Sequence, residues 1–396
     1  MKEIHKIVFL KPGKEQSIRR FHPWIFSGAI NRLEGDPQEG DVVRIHSDKN
    51  EFLAIGHYQN GSLAVRIFSF DDIAPGYHFW KQKLEDALQF RQQLNLLDNP
   101  DTNVCRLVNG EGDFLPGLII DYYNGVAVMQ LHSVGMYNIR GQLADILQEL
   151  YGSRLKAVFD KSEGTVPDKM QIHPKNGYLY GNKHITEITE NGHHFIVDYE
   201  QGQKTGFFID QRENRELAGK CSKGRNVLNL FCYTGSFSVY AMKGGANLVH
   251  SVDTSAKAIE LTNRNIAGNF NHVAAHQAFA ADAMEYLSQS HETYDLIILD
   301  PPAFAKHLTA LHHALQGYKK LNIKAFEKIS KGGLVFTFSC SQVVSRENFR
   351  KAVFAAAANT GRKIRILHHL SQSPDHPVSI YHPEGEYLKG LVVYVE

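Results

Sequence analysis

The chain has 396 residues, 43% of them hydrophobic and 21% charged, with a formal net charge of +1. This is the composition of a soluble globular protein long enough for two or three domains, and so small a net charge means that a nucleic-acid partner must be held by local basic patches. No apolar run reaches the ~18 residues of a membrane helix. Met1-Lys2-Glu3-Ile4-His5 lacks the apolar stretch of a secretory signal. Cys105, Cys221, Cys232 and Cys340 have neither metal-ligand nor disulfide spacing. The expectation is a cytoplasmic protein with reduced thiols, no membrane and no metal. The sequence does not fix an oligomeric state, and a homodimer stays open.

The first seventy residues read as small β structure. Segments Lys6–Leu10, Asp41–His46, Leu53–Tyr58 and Leu63–Phe70 are separated by Gly, Asn and Asp turn signals. Six Lys/Arg against two Glu lie in the first twenty residues. His22-Pro23-Trp24-Ile25-Phe26-Ser27-Gly28 is an aromatic-rich loop whose Trp24 and Phe26 are expected in the core, because large aromatics usually bury. Pro75–Leu97 has helical periodicity. Phe114–Asp121 and Gly125–His132 predict a hairpin across Tyr122-Tyr123-Asn124-Gly125. A helix over Asn138–Leu150 and a strand over Ala157–Phe159 complete a small α+β middle segment.

The remainder alternates strand and helix: Asn226–Leu230, Ser236–Met242, Leu248–Val252, Ala256–Asn265, His276–Phe279, Ala281–Gln289, Asp295–Leu299, Gly317–Ile329, Leu334–Phe338, then Glu347–Asn359. Such alternation predicts a parallel sheet with helices on both faces, whose ligand chemistry sits at the carboxyl ends of the strands. Val227–Phe237 is a strand, a tight loop and a helix start, and Gly235 lets the backbone approach a ligand closely. Asp253 ends the next strand about 20 residues on, the spacing at which such folds bind a ribose. The loop is not G-x-G-x-x-G, which argues against a nicotinamide cofactor.

Two further strings follow apolar runs and so read as strand ends. Asp300-Pro301-Pro302-Ala303-Phe304 follows Leu296–Leu299, and Thr337-Phe338-Ser339-Cys340-Ser341 closes Leu334–Phe338. The first offers a carboxylate and a proline-stiffened loop, and the second a thiol. Lys319, Lys320, Lys324, Lys328 and Lys331 come next to a single acid, Glu327. Lys320, Lys324, Lys328 and Lys331 would share one helix face, either as a phosphate-contacting strip or as a solvated surface.

These strings together resemble the class I S-adenosylmethionine-dependent methyltransferases. The resemblance spans the chain: His22–Gly28, Lys204-Thr205-Gly206-Phe207-Phe208-Ile209-Asp210-Gln211-Arg212, Phe231–Phe237, Asp300–Phe304, Gly317-Tyr318-Lys319, Phe338–Ser341, Asp375-His376-Pro377, and Pro383–Gly390. It is nearest to the large-subunit ribosomal RNA methyltransferases that carry an N-terminal PUA domain, among them those acting on cytosine carbon 5. The resemblance implies a PUA-like RNA-binding β-barrel over 1–74, an α+β middle domain over 75–185, and a Rossmann-like α/β methyltransferase domain with a mostly parallel seven-stranded sheet over 186–396. It implies S-adenosylmethionine as cofactor and ribosomal RNA as partner. Asn229, Tyr233, Thr234, Gly235 and Phe237 fall in the loop beneath the methionine part. Asp253 matches the ribose acid, and Asp282 the position contacting the adenine amine, with a helix N-cap as its other reading. Asp210 suits the cofactor's ammonium and Phe207 or Phe208 its sulfonium; Arg212 belongs to the same string, though Arg212 and Arg215 could instead form a solvated helix face.

Carbon 5 of cytosine is a poor nucleophile. A thiolate added to carbon 6 turns the ring into an enamine that can take a methyl group. The family's nucleophile maps onto Cys340. Cys232 sits in the cofactor loop, where a reactive thiol would threaten the sulfonium. Many relatives carry a second cysteine after the Asp-Pro motif, and here Pro301-Pro302-Ala303-Phe304 has none. Asp300 is the candidate to contact cofactor, base or proton, with loop capping as its other reading. Pro301, Pro302 and Phe304 would receive the base, Phe304 by stacking or, otherwise, as a core plug. Lys319, Lys320 and Lys324 would contact RNA. Methylation of guanine nitrogen 7 or of an exocyclic amine needs no thiol and stays open, as does a ribosome-assembly factor with an inactive scaffold.

Overall fold

The computed structural model describes residues 4–166, 173–182 and 186–396. Part of the N-terminal string and the expected boundary at 185 fall outside the described residues. The chain forms two compact units. The first comprises residues 1–188, 197–207 and 374–385, and the second residues 189–196, 208–373 and 386–396.

The first unit opens with a six-stranded sheet in the spatial order Trp24–Phe26, Leu63–Ser69, Phe52–Tyr58, Val42–His46, Ile7–Leu10, Ile30–Glu34. Alternation buries Val8, Leu10, Val43, Ile45, Val65 and Ile67 in one core. Here one expectation fails: Phe26 is 51% exposed. Trp24 is half-buried, its Nε1–H donating to Glu111 at 2.8 Å and its ring 4.3 Å from that of His382. A polar handle lets a tryptophan sit at a rim rather than in a core.

A helix, Tyr77–Gln93, packs with a five-stranded sheet ordered Gly177–Tyr180, Ala157–Asp160, Val126–Leu131, Leu118–Tyr123, Val104–Asn109. The expected hairpin is present, with Tyr123 opposite Val126 and Asn124 and Gly125 both at positive φ, as a two-residue turn of that hand requires. Arg91, fully buried, is held by both oxygens of Asp113 and by the carbonyls of Arg106 and Asp375. With the Arg106 N–H donating to the Asp375 carboxylate at 2.9 Å, this fastens segment 374–385 into the unit.

The second unit is a seven-stranded sheet. Its strands are β1 (Asn226–Leu230), β2 (Leu248–Asp253), β3 (His276–Ala280), β4 (Tyr294–Leu299), β5 (Ile329–Ser339), β6 (Ile364–Ser371) and β7 (Lys389–Val395), in the spatial order β3-β2-β1-β4-β5-β7-β6. The first five are parallel, and β7 runs antiparallel between β5 and β6. The helices are α1 (Arg212–Lys220), α2 (Ser236–Lys243), α3 (Ala256–Asn269), α4 (Ala283–Gln289), α5 (Leu311–Lys328) and α6 (Arg346–Thr360). The near-continuous apolar runs of β1, β4 and β5 are buried, as strands covered on both faces must be.

Arg212 and Arg215 of α1 are buried, which removes the solvated-face reading. Arg215 makes a two-pronged pair with Glu190 at 2.9 and 2.8 Å, Arg212 Nε lies 3.4 Å from the same carboxylate, and the Tyr240 hydroxyl donates to it at 3.0 Å. One buried anion thus serves two buried cations. Glu190→Gln is expected to leave both guanidinium groups undercompensated and to cost about 3–5 kcal/mol. The check is the urea midpoint of the second unit, with far-UV circular dichroism unchanged at zero denaturant.

Candidate cofactor and catalytic site

Parallel register aligns the strand ends. Leu230 lies opposite both Val252 and Leu299, Asp253 opposite Ala280, and Leu299 opposite Thr337. The residues that follow, Phe231–Gly235, Asp282, Asp300 and Cys340, therefore emerge along one edge of the sheet, together with Asp253, the last residue of β2.

The turn after β1 is sharply bent. Phe231, Tyr233 and Gly235 have φ of 59°, 46° and 71°. Two non-glycine residues in the left-handed region are held there by their surroundings, a pattern concentrated at functional sites. The Tyr233 N–H donates to Asp253 Oδ2 at 3.1 Å, Thr262 Oγ1–H to the Tyr233 carbonyl at 3.0 Å, and Asn265 Nδ2–H to the Thr234 carbonyl at 2.8 Å. The Phe208 ring packs edge-on to Tyr233 at 5.3 Å. Asn229, Thr234 and Phe237 are buried beneath the turn. Asn229 bonds Ser238 at 2.9 Å, and Phe237 packs on Phe338.

Asp253 is half-buried and accepts a second backbone bond from Ser255 at 2.9 Å. Asp282 is exposed and caps α4 through the N–H groups of Met284 and Glu285 at 2.8 and 3.0 Å. The N-cap reading is therefore correct, and it leaves the carboxylate's remaining acceptor positions turned to solvent. Asp210 is 8% exposed. Its Oδ2 accepts from the Tyr387 hydroxyl at 2.6 Å, and its carbonyl from the Ser373 N–H at 3.0 Å. Phe207 belongs to the first unit, where its carbonyl accepts from the Tyr123 hydroxyl. S-adenosylmethionine presents a ribose diol, an adenine amine and an ammonium, all hydrogen-bond donors. The acceptors Asp253, Asp282 and Asp210 suit that donor set.

At the other strand ends, Asp300 and Cys340 are half-buried. Cys340 Sγ lies 3.8 Å from the carbonyl oxygen of Pro301, which is buried, whereas Pro302 is exposed. Ser341 Oγ joins the two loops, accepting from the Ala305 N–H at 3.3 Å and meeting the Tyr318 hydroxyl at 3.0 Å. The half-buried Phe304 ring packs on Tyr318 at 4.6 Å, close over Gly317, where a Cβ would come within 2.9 Å of it. This supports the plug reading of Phe304. The other thiols differ from Cys340. Burial pushes Cys232 up to about 12 and Cys221 upward, and Cys105 lies in the core of the first unit.

The lysine strip is shorter than expected. Lys331 lies beyond α5, on β5, because the helix ends at Lys328. Lys328 turns back to the Ser290 carbonyl, and Lys324 pairs with Glu327 at 3.3 Å. Lys320 is exposed, and Lys319 is half-buried. Sequence reasoning gave no role to Tyr387 or Lys389, nor to Glu190. The one available signal was a lysine opening the apolar run Leu391–Val395.

The fold and the strand-end site are those of an S-adenosylmethionine-dependent methyltransferase. A family model described as S-adenosylmethionine-dependent methyltransferase matches residues 106–379, and one for a PUA-like domain matches residues 8–70. The chain belongs to the S-adenosylmethionine-dependent methyltransferase family, and its cofactor is S-adenosylmethionine. It is 38% identical over 394 residues, 98% of either chain, to a Tolumonas auensis protein named ribosomal RNA large subunit methyltransferase I. An Alteromonas mediterranea protein of the same name is 38% identical over 395 residues, again 98% of either chain. A solved Streptococcus mutans structure, described as a SAM-dependent methyltransferase, shares the fold with TM-score 0.84 and 24% identity, over 99% of this chain and 100% of that one. Among the described residues no helix is long and apolar enough to cross a membrane, and no group of three or more His, Cys, Asp or Glu could hold a metal ion.

A Cβ at Gly235 would come 2.5 Å from Thr262 Cγ2 on a backbone at positive φ, whereas one at Gly268 meets nothing within 4 Å. Gly235→Ala is therefore expected to cost about 1–3 kcal/mol. Gly268→Ala in α3 is expected to be neutral or slightly stabilising. Thermal melts of the two variants give the comparison.

Proposed function

We propose that this protein transfers a methyl group to carbon 5 of a cytosine in large-subunit ribosomal RNA through a covalent Cys340 adduct. The observation that carries the reading is the half-buried thiol of Cys340 at the end of β5, 3.8 Å from the Pro301 carbonyl of the Asp300 loop. Names of relatives matched over their full length supply the ribosomal RNA, and a PUA-like domain suits its capture.

S-adenosylmethionine, when bound, supplies the electrophilic methyl that carbon 5 accepts. Asp253 would hold its ribose hydroxyls, Asp282 its adenine amine and Asp210 its ammonium. Arg212 would act through Glu190, keeping the Asp210 segment in place, and Asn229, Thr234 and Phe237 would support the turn from below. With the target base unstacked into the site, the Cys340 thiolate bonds to carbon 6, the 5–6 double-bond pair shifts between carbons 4 and 5, and the carbon 4–nitrogen 3 pair moves onto nitrogen 3, leaving an enamine whose carbon 5 is nucleophilic. Once carbon 5 is methylated, its proton goes to a base. The electron pair of the broken carbon 5–hydrogen bond forms the 5–6 double bond, and the thiolate leaves carbon 6 with its own pair. Asp300 would take that proton, directly or through water, or bond the exocyclic amine. Pro301 and Pro302 would form the wall against the base.

Transfer to a ring nitrogen or amine is the second reading, since the Asp300–Phe304 loop also suits it. The packing of Phe304 on Tyr318 counts against that loop as a stacking platform. Nucleoside analysis of ribosomal RNA after incubation with labelled cofactor is expected to give 5-methylcytidine. Cys340→Ala is expected to lose at least about a thousandfold in rate while binding cofactor normally by calorimetry. Retained methylation by that variant would sink the thiol mechanism in favour of the second reading, and absence of cofactor binding by the wild type would favour an inactive scaffold.

Lys319, Lys320 and Lys324 would contact RNA phosphates. Neutralising Lys320 and Lys324 is expected to flatten the slope of log affinity against log salt by roughly 1.5. Filter binding across a salt series measures it, and an unchanged slope would remove the strip.

A further inference from the structure

A nucleophilic Cys340 must be ionised near neutral pH, in a half-buried position where loss of water disfavours charge. The antiparallel pairing of β5 and β7 sets Lys389 opposite Ser339, one residue before that cysteine. Lys389 is 3% exposed, and fully buried lysines are rare unless paired. Its ammonium donates to the carbonyl oxygens of Ser341 and Val344, both at 2.7 Å, in the turn that follows Cys340. Those bonds use two of its three N–H groups. Burial pushes Lys389 down to about 8, and the strongest charge opposing that shift is Cys340.

Among the described residues, two charged groups besides Cys340 act on Lys389. Arg346 of α6 acts on Lys389 in the same sense as burial and Glu386 against it, and these two pair with each other. The Tyr318 hydroxyl of α5 meets Ser341 Oγ, next to Cys340, and burial pushes its phenol upward, so it stays neutral. Asp300, after β4, begins the loop whose Pro301 carbonyl lies 3.8 Å from the sulfur.

We propose that Lys389 is the positioning residue that makes Cys340 a nucleophile, its buried ammonium holding the 341–344 turn and the ionised sulfur together. This rests on the reading of Cys340 as the attacking thiol. A lysine that merely clamps the turn would leave the ionisation of Cys340 untouched, and this is what separates the two roles.

The test is alkylation of the full-length protein by iodoacetamide between about pH 6 and pH 10, without RNA or cofactor. The rate is read at the Cys340 peptide by mass spectrometry, with the Cys221 peptide as internal control. In the wild type the Cys340 midpoint is expected below the ordinary thiol value of about 8.5. Lys389→Met is expected to move it upward, slowing alkylation at pH 7 about tenfold, and Lys389→Arg to restore most of the rate. Coincident profiles for the wild type and a folded Lys389→Met overturn the proposal. If Lys389→Met does not fold, the wild-type curve decides: a midpoint at or above the ordinary value overturns it. Because no RNA enters this measurement, its failure is distinct from failure of the cytosine reading, which shows as methylation by Cys340→Ala.

Discussion

In-register parallel pairing of β2, β1, β4 and β5 is the constraint on which the second unit depends. Hydrogen bonding between neighbouring strands leaves each strand no freedom to slide, since a slip of one residue would turn its buried side chains to the opposite face. Once Leu230 is fixed opposite Val252 and Leu299, and Leu299 opposite Thr337, the residues beyond those positions share one edge. Carboxylates and a thiol from distant stretches of chain meet there without any loop having to be long or mobile. β7, inserted antiparallel beside β5, adds a lysine at the same edge that the parallel strands alone could not deliver.

Buried polar groups support this edge from below. Glu190 compensates Arg212 and Arg215, Asn229 ties β1 to α2, and Thr262 and Asn265 of α3 hold the carbonyls of the turn after β1. Each buried charge or amide here has a specific reason to stay put, because leaving one undercompensated costs more than the bond itself contributes. The strained backbone at Phe231 and Tyr233 persists because several such bonds over-determine it.

Much of this architecture is legible in the sequence. Short apolar runs alternating with helical periodicity mark β1, β2, β4, α3 and α6 within a few residues, since strands buried on both faces read as continuous apolar runs. Asp253, Asp300 and Cys340 are legible as candidates because they come at the ends of such runs, whereas Asp282 is a candidate by family resemblance alone. What is not legible depends on contacts between segments far apart in sequence. Nothing local announces that Arg215 will meet Glu190, that Asp375 will bond Arg91 and Arg106, or that Tyr387 will bond Asp210. Phe26 reads as core by its size and is exposed. Lys331 reads as helical by its spacing and lies on a strand, because the helix stops at Lys328 and β5 opens at Ile329, five residues before its apolar run.

The proposed reaction turns on a covalent bond between Cys340 and carbon 6 of the target cytosine, and trapping detects that bond. Ribosomal RNA transcribed with 5-fluorocytidine carries at carbon 5 a fluorine that cannot leave as a proton, so an adduct that forms cannot resolve. Incubation with cofactor is expected to give a protein–RNA species stable to denaturation, whose digest places the nucleotide on the Cys340 peptide. Formation of methylated product from ordinary RNA with no trapped species from the fluorinated RNA, or a crosslink on another residue, would contradict it.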